Sequence, residues 1–303
     1  MNCFRLKAVF CNLLVVPFKP KKYGKVYKNQ QLMNSRYYCY FFTVFLVLSI
    51  HKLSAQQPLP RYTTEEERQS LPYYNQFNLE RGGAVPPPSS PVRTRAEWEE
   101  IQSLIVTWEG FSTIQSQIVY HAKQECEVII VTEDSVSTKN TLTNNGVDFV
   151  NITFIEAPLN SVWVRDFGPW NVYTNDVDSL LIVDWIYNRP RPNDDVVPEL
   201  IANYKGLPIY PMTSPPYDVV HTGGNFMVDG QGTGFSSRLI LDENWNGSFN
   251  ISNHNEAAID TLMKQFMGID RYIKFDELPY DLIHHIDMHM KLCLLYTSDA
   301  ADD

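Results

Sequence analysis

The chain has 303 residues, 44 % hydrophobic and 20 % charged, the composition of a globular protein with one large domain or two small ones. Its charge is unevenly placed: residues 1–55 carry nine Lys/Arg and no Asp or Glu, and the rest holds 16 Lys/Arg against 35 Asp/Glu, a formal −19. A body that acidic argues against nucleic acid as a partner; it suits a cationic ligand, although solubility alone accounts for acidity.

In chain order, residues 1–32 form a doubtful upstream segment with no clear role. Met33-Asn34-Ser35-Arg36 then opens a basic stretch, followed by an apolar run to Ile50 and the small residues Leu53-Ser54-Ala55. This reads as a signal peptide over 33–55. The run is shorter than the ~20 apolar residues of a membrane anchor. The expectation is therefore cleavage, an exported (periplasmic or secreted) protein, and no stable membrane association afterwards; a retained anchor is the alternative. Cys3, Cys11 and Cys39 fall in this region, and Cys126 with Cys293 makes no disulfide framework.

Residues 56–92 are polar and Pro-rich and read as an extended N-terminal arm. Strand and helix signals alternate from there. Ser103–Trp108, Val128–Val131, Phe149–Ile155 and Ser179–Trp185 read as strands. Ser112–Gln124 reads as a helix capped by Ser112. Ser135–Asn145, Glu199–Lys205 and Ala257–Met267 read as further helices, with a Pro-rich loop over 188–195. This alternation predicts an α/β protein.

Three motifs carry chemistry. Trp163-Val164-Arg165-Asp166, placed in a loop or strand end before Gly168-Pro169, offers a carboxylate that can accept two N–H bonds from a planar guanidinium. Trp163 can stack on the cation's face. The plainer alternative is an Arg165–Asp166 ion pair. Gly223-Gly224-Asn225, followed by Asp229-Gly230 as a hairpin turn, reads as a pocket wall, and lacks the Gly-Lys-Ser/Thr of a phosphate loop. His285-Ile286-Asp287, placed on a strand, puts both side chains on one face. His285 then serves as acid and base, and Asp287 holds a substrate N–H. A metal site of His285, Asp287 and His289 is the rival, but no HExxH pattern or second cluster supplies further ligands. Asn160 and Asn225 are candidate substrate contacts.

Together with Pro91-Val92-Arg93 and Ala96-Glu97-Trp98-Glu99, these motifs resemble the agmatine deiminase and Porphyromonas-type peptidylarginine deiminase family over about Pro91 to Leu292. The resemblance implies a pentein fold, a pseudo-fivefold α/β propeller of ββαβ units, incomplete here at the C-terminus. It implies no cofactor and no metal, and a small-molecule or peptide substrate carrying a guanidinium group. By motif, Asp166 and Asp287 would clamp the guanidinium, His285 would be the general acid/base, and Trp163, Arg165, Gly224 and Asn225 would line the substrate site. A thiolate would attack the guanidinium carbon and form a covalent intermediate.

The family's nucleophilic cysteine lies well beyond the His-x-Asp motif, and the chain holds none there that fits. Residues 293–303 read as a foreign tail, so 93–292 are expected to form a partial, inactive catalytic domain. Cys126, entering an apolar strand, lacks the cationic setting of a reactive thiol. Export favours peptidyl-arginine as substrate. Agmatine is the rival, and a metal-dependent hydrolase or a non-catalytic guanidino-binding module are the other classes.

Overall fold

The computed structural model describes residues 64–81, 83–245, 248–252 and 254–292. The segments read as 1–32, 33–55 and 293–303, with Cys3, Cys11, Cys39 and Cys293, lie outside the described residues.

The described chain opens on a helix, which corrects the expected extended arm. Helix α1 (Glu65–Glu80) starts at Thr64. The Thr64 hydroxyl accepts the Glu67 N–H at 3.2 Å, and the Glu67 carboxylate accepts the Thr64 N–H at 3.0 Å. This reciprocal cap satisfies two donors that the first helical turn leaves open. Pro72 lies inside the helix, against the usual preference. Packing overrides it: Leu71 and Tyr74 are buried against Ile186, Val220 and Phe249.

Three sheets follow. Strands β2 (Ser103–Thr107), β3 (Glu127–Thr132) and β4 (Ile152–Glu156) pair in parallel in that order. Helices α2 (Ser112–Ala122) and α3 (Ser135–Asn144) supply the crossovers that parallel neighbours require. Ser112 is not the cap of α2. Phe111 holds that position at φ 45° with no side-chain cap bond.

The second sheet runs β1 (Val92–Thr94), β5 (Trp170–Thr174), β6 (Leu180–Tyr187), β7 (Ile209–Met212), with β8 (Val220–His221) also pairing β6. The pair β5/β6 is antiparallel and β6/β7 parallel. Two helices, α5 (Pro192–Asp195) and α6 (Val197–Lys205), connect β6 to β7, so the predicted loop over 188–195 contains a helical turn. The third sheet repeats the pattern. Strand β9 (Met227–Val228) is antiparallel to β10 (Thr233–Ser237), and β10 is parallel to β11 (Arg271–Phe275). Helices α7 (Leu239–Asn244) and α8 (Glu256–Met267) lie between those last two strands in sequence. Two ββαβ units therefore stand after one parallel βαβαβ unit.

Strand β6 is buried from Leu181 to Tyr187, which explains its apolar text on either side of Asp184. Its Trp185 stacks on Trp170 at 4.9 Å between centroids, and both rings meet Phe226 edge-on. Ile259, Leu262, Met263 and Phe266 of α8 complete this core. Removal from water contributes roughly 1.5–3 kcal/mol for each such side chain. The shared core fixes the second sheet against the third, and the motifs lie along that junction.

Charge is buried beside β6 as well. Arg81 reaches Asp184 at 2.6 Å and Asp195 at 2.7 Å, and the Tyr74 hydroxyl lies 2.7 Å from Asp195. Burial opposes the Arg81 charge, but Asp195, Asp184 and Glu199 outweigh it and raise its pKa further. Pairing of this kind is what buried charge requires.

Candidate active site

The segment after Trp163 is a helical turn, α4 (Val164–Phe167), where the sequence suggested a loop. The loop entering it is pinned by Asp194. One Asp194 oxygen accepts the N–H groups of Asn160 at 2.8 Å and Ser161 at 3.0 Å, and the other accepts the Ser161 hydroxyl at 2.6 Å. Asp166 then projects from α4 toward the 3-10 turn Gly223–Asn225. Its Oδ1 accepts the Thr222 hydroxyl and the Gly224 N–H, each at 3.1 Å. Its Oδ2 makes no hydrogen bond among the described residues.

Glycine at 224 is required by space. A Cβ there would lie 2.4 Å from His285 Nδ1 and 2.8 Å from Asp166 Oδ1. At 223 it would lie 2.0 Å from the Arg165 carbonyl oxygen. Only a residue without a side chain lets three segments meet this closely.

His285 precedes a 3-10 turn (Ile286–Met288), which corrects the strand expected there. Its Nδ1 lies 3.5 Å from Asp166 Oδ1, too far for a strong hydrogen bond. Its Nε2 is buried without a hydrogen-bond partner among the described residues. Burial lowers the His285 pKa, with Asp166 opposing and Arg189 adding to the shift. The ring is therefore neutral at pH 7 and can take or give a proton.

Asp287 forms no hydrogen bond or ion pair among the described residues. Partial burial, against the pull of Arg165 and with Asp166 and Glu97 adding to it, pushes its pKa up to about 6. The carboxyl is also exposed on its open side, so solvent screens part of that shift.

Other candidates take different places. The Arg165 guanidinium donates to the carbonyls of Gly223 and Phe226, each at 3.0 Å, and pairs with Glu97 at 2.6 Å. It is engaged by the protein itself, and its ion pair is with Glu97 rather than Asp166. Asn225 is buried, and its Oδ1 accepts the Ser237 N–H at 2.7 Å. Asn160 accepts the Asn193 N–H at 3.0 Å. Each holds backbone in place through its Oδ1, and the buried Asn225 Nδ2 has no hydrogen-bond partner among the described residues. The Trp163 ring is 38 % exposed, accessible to a ligand. His289 lies 3.0 Å from Asp281, and among the described residues no group of three or more His, Cys, Asp or Glu could hold a metal ion. Cys126, half-buried, is the sole cysteine among the described residues. It precedes β3, in a sheet that supplies none of these side chains.

A cavity of about 290 Å³ borders His285, with Ser237, Phe275, Glu277, Asp281 and His289 in its wall. The sequence assigns no role in the site to Thr222, or to Glu97, which stands there only within Ala96-Glu97-Trp98-Glu99. Thr222 stands next to the recognised glycines. Glu97 holds Arg165 with one oxygen and Lys291 with the other, at 2.6 and 2.7 Å.

Comparison with known proteins follows the same lines. The model of the Porphyromonas-type peptidyl-arginine deiminase family matches residues 93–295. A protein of Enterococcus faecalis assigned as an agmatine deiminase is 29 % identical over 133 residues, which are 40 % of this chain and 34 % of that protein. The match thus spans about a third of that relative's length. A solved structure from Porphyromonas gingivalis, assigned as an arginine deiminase, superposes with a TM-score of 0.54 at 18 % identity, covering 65 % of this chain and 61 % of that one. The agmatine deiminase of C. jejuni superposes with a TM-score of 0.51 at 22 % identity, covering 65 % of this chain and 58 % of that one. At these identities the superpositions show a common mixed α/β fold.

Proposed function

This chain belongs to the Porphyromonas-type peptidyl-arginine deiminase family, and on that premise we propose that it binds a guanidinium group between Asp166 and Asp287 for hydrolysis to a ureido group and ammonia. One observation carries the reading. Asp166, Gly224 and His285 come from three distant segments and meet within hydrogen-bonding or ion-pair distance, with the Asp166 Oδ2 and the Asp287 carboxyl left without partners among the described residues.

The chemistry follows from those positions. A guanidinium is charged at all ordinary pH and resists attack by water. Two carboxylates neutralise it, orient its plane and fix its carbon. Trp163 offers an aromatic face at the rim. The thiol passes its proton to the neutral His285 as its sulfur adds to the carbon, and the imidazolium so formed protonates the departing ammonia. The same ring then deprotonates the water that releases the ureido product. Such acid–base help is worth roughly 10²–10⁴-fold. The thiol belongs to a residue outside the described ones, since Cys126 stands just before β3, in a unit that supplies none of the site's side chains. Arg165 and Asn225 act here by holding the pocket wall.

The two ββαβ units belong, in this reading, to a pseudo-fivefold pentein propeller spanning 93–292, behind a signal at 33–55. Peptidyl-arginine is the substrate this export favours; agmatine is the alternative, supported by the curated relatives. Calorimetry with agmatine and with an arginine peptide, alongside ammonia release, tests the proposal. Binding of one guanidino ligand, lost in Asp166→Asn and in Asp287→Asn, is the expected result. No binding by the wild-type chain, or activity lost to chelators, would overturn it.

A further inference from the structure

We infer that Glu97 is a positioning residue that occupies Arg165 and ties it to Lys291, leaving Asp287 free for a cationic ligand. The inference rests on the guanidinium-binding reading of Asp287.

The geometry around Glu97 is built from both sides. It lies in a turn after β1 that has its own brace. Arg93 meets both oxygens of Glu99, at 2.7 and 3.0 Å, and Glu99 Oε1 also accepts the Ala96 N–H at 2.7 Å. From this braced turn, Glu97 sends one oxygen to Arg165 and the other to Lys291. Arg165 in turn donates to the Gly223 and Phe226 carbonyls. A single carboxylate thus connects α4, the glycine turn and the segment just past Asp287.

The consequence is electrostatic. Arg165 is close enough to Asp287 to act on its charge, together with Asp166, Glu97 and His289. Yet Arg165 and Asp287 form no ion pair among the described residues. A site that receives a guanidinium has a difficulty of its own: the protein already contains one whose charge acts on Asp287. An internal Arg165–Asp287 pair would compete with the ligand for the same planar fork. Glu97 removes that competitor by supplying its carboxylate, and Lys291 offsets the second acidic oxygen. The cost of bringing Glu97 near Asp287 is some repulsion, which the ligand's positive charge relieves when it binds.

Glu97→Gln keeps the shape and removes the charge. The Asp287 carboxyl is followed by carbon-detected NMR titration in the wild-type chain and in E97Q. The expected midpoint is about 6 in the wild type and lower by about one pH unit in E97Q, because Arg165 turns to Asp287 and one repelling carboxylate is gone. Affinity for agmatine falls about tenfold in the same variant.

Lys291→Met is the second variant. It leaves the Arg165 leg intact, so it should speed amide exchange of Ile286–Met288 without lowering the Asp287 midpoint. An unmoved Asp287 midpoint in E97Q, with the fold retained, would overturn the inference. If E97Q fails to fold, unchanged exchange in K291M would overturn it. Absence of guanidino binding in the wild type would instead strike the function proposed above, since the Asp287 titration is read without ligand.

Discussion

Asp166 Oδ1 lies 3.5 Å from His285 Nδ1, and the backbone N–H that Asp166 accepts is that of Gly224. Carboxylate, imidazole and glycine are therefore one unit, and the glycine's missing side chain sets their spacing. Gly224→Ala should weaken agmatine binding by at least about tenfold, or ~1.4 kcal/mol. Its Cβ would stand 2.4 Å from the imidazole and push it off Asp166. Calorimetry on the folded variant checks this, and unchanged affinity would contradict the packing described.

The pH dependence of binding follows from Asp287. Its pKa is raised from the ordinary 3.8 to about 6, so the carboxyl is protonated below that pH and charged above it. Affinity for a guanidino ligand should rise about tenfold per pH unit up to about 6 and flatten beyond. The ligand keeps its charge throughout. His285, its pKa lowered by burial, gains its charge only toward acid, where it adds repulsion of the ligand to the loss of the Asp287 charge. Asp287→Asn should remove the limb near pH 6. For folding the sign is opposite. A carboxyl with a raised folded-state pKa contributes stability that is present below 3.8 and lost as pH rises through about 6.

Arg81→Met should destabilise the chain by about 3–5 kcal/mol in a denaturant titration, because it leaves Asp184 and Asp195 buried without their cation. Thr64→Ala should cost about 1 kcal/mol by removing the cap of α1. A loss of similar size in both variants would contradict the burial described for Arg81.

Trp163→Ala separates ligand from fold. With the ring 38 % exposed, stability should change by less than about 0.5 kcal/mol. Agmatine affinity should fall by about 1–2 kcal/mol if the ring stacks on the cation. Equal losses in both would assign Trp163 to packing alone.

That Asp166, Gly224 and His285 meet in space was legible, because the motifs that carry them stand in a telling order. The contacts of Arg165 and Asn225 were not. Their partners are the backbone groups of Gly223, Phe226 and Ser237, and nothing in a sequence marks which carbonyl a side chain will meet. The strand expected around His285 failed because apolar text there belongs to a short 3-10 turn, too brief for periodicity to register. Helix α1 was different. Thr64-x-x-Glu67 is a capping-box signal in plain view, overshadowed by Pro72 and the prolines of 86–91. The alternation from 103 onward survived because buried parallel strands leave unbroken apolar runs.

The separation of the site's members along the chain bears on how the protein assembles. Asp166 and Gly224 are 58 residues apart, and His285 follows further still. The sheet β2-β3-β4 closes over much shorter connections, as in Ser103 opposite Glu127. Loop closure grows costlier with span, and distant pairings form late. Ligand-binding competence should therefore lag the far-ultraviolet signal during refolding, measured by stopped flow with agmatine present. Simultaneous recovery would mean that the site forms within the folding nucleus. In a pocket made this way, the geometry of the site is a readout of several units brought together rather than of any one of them.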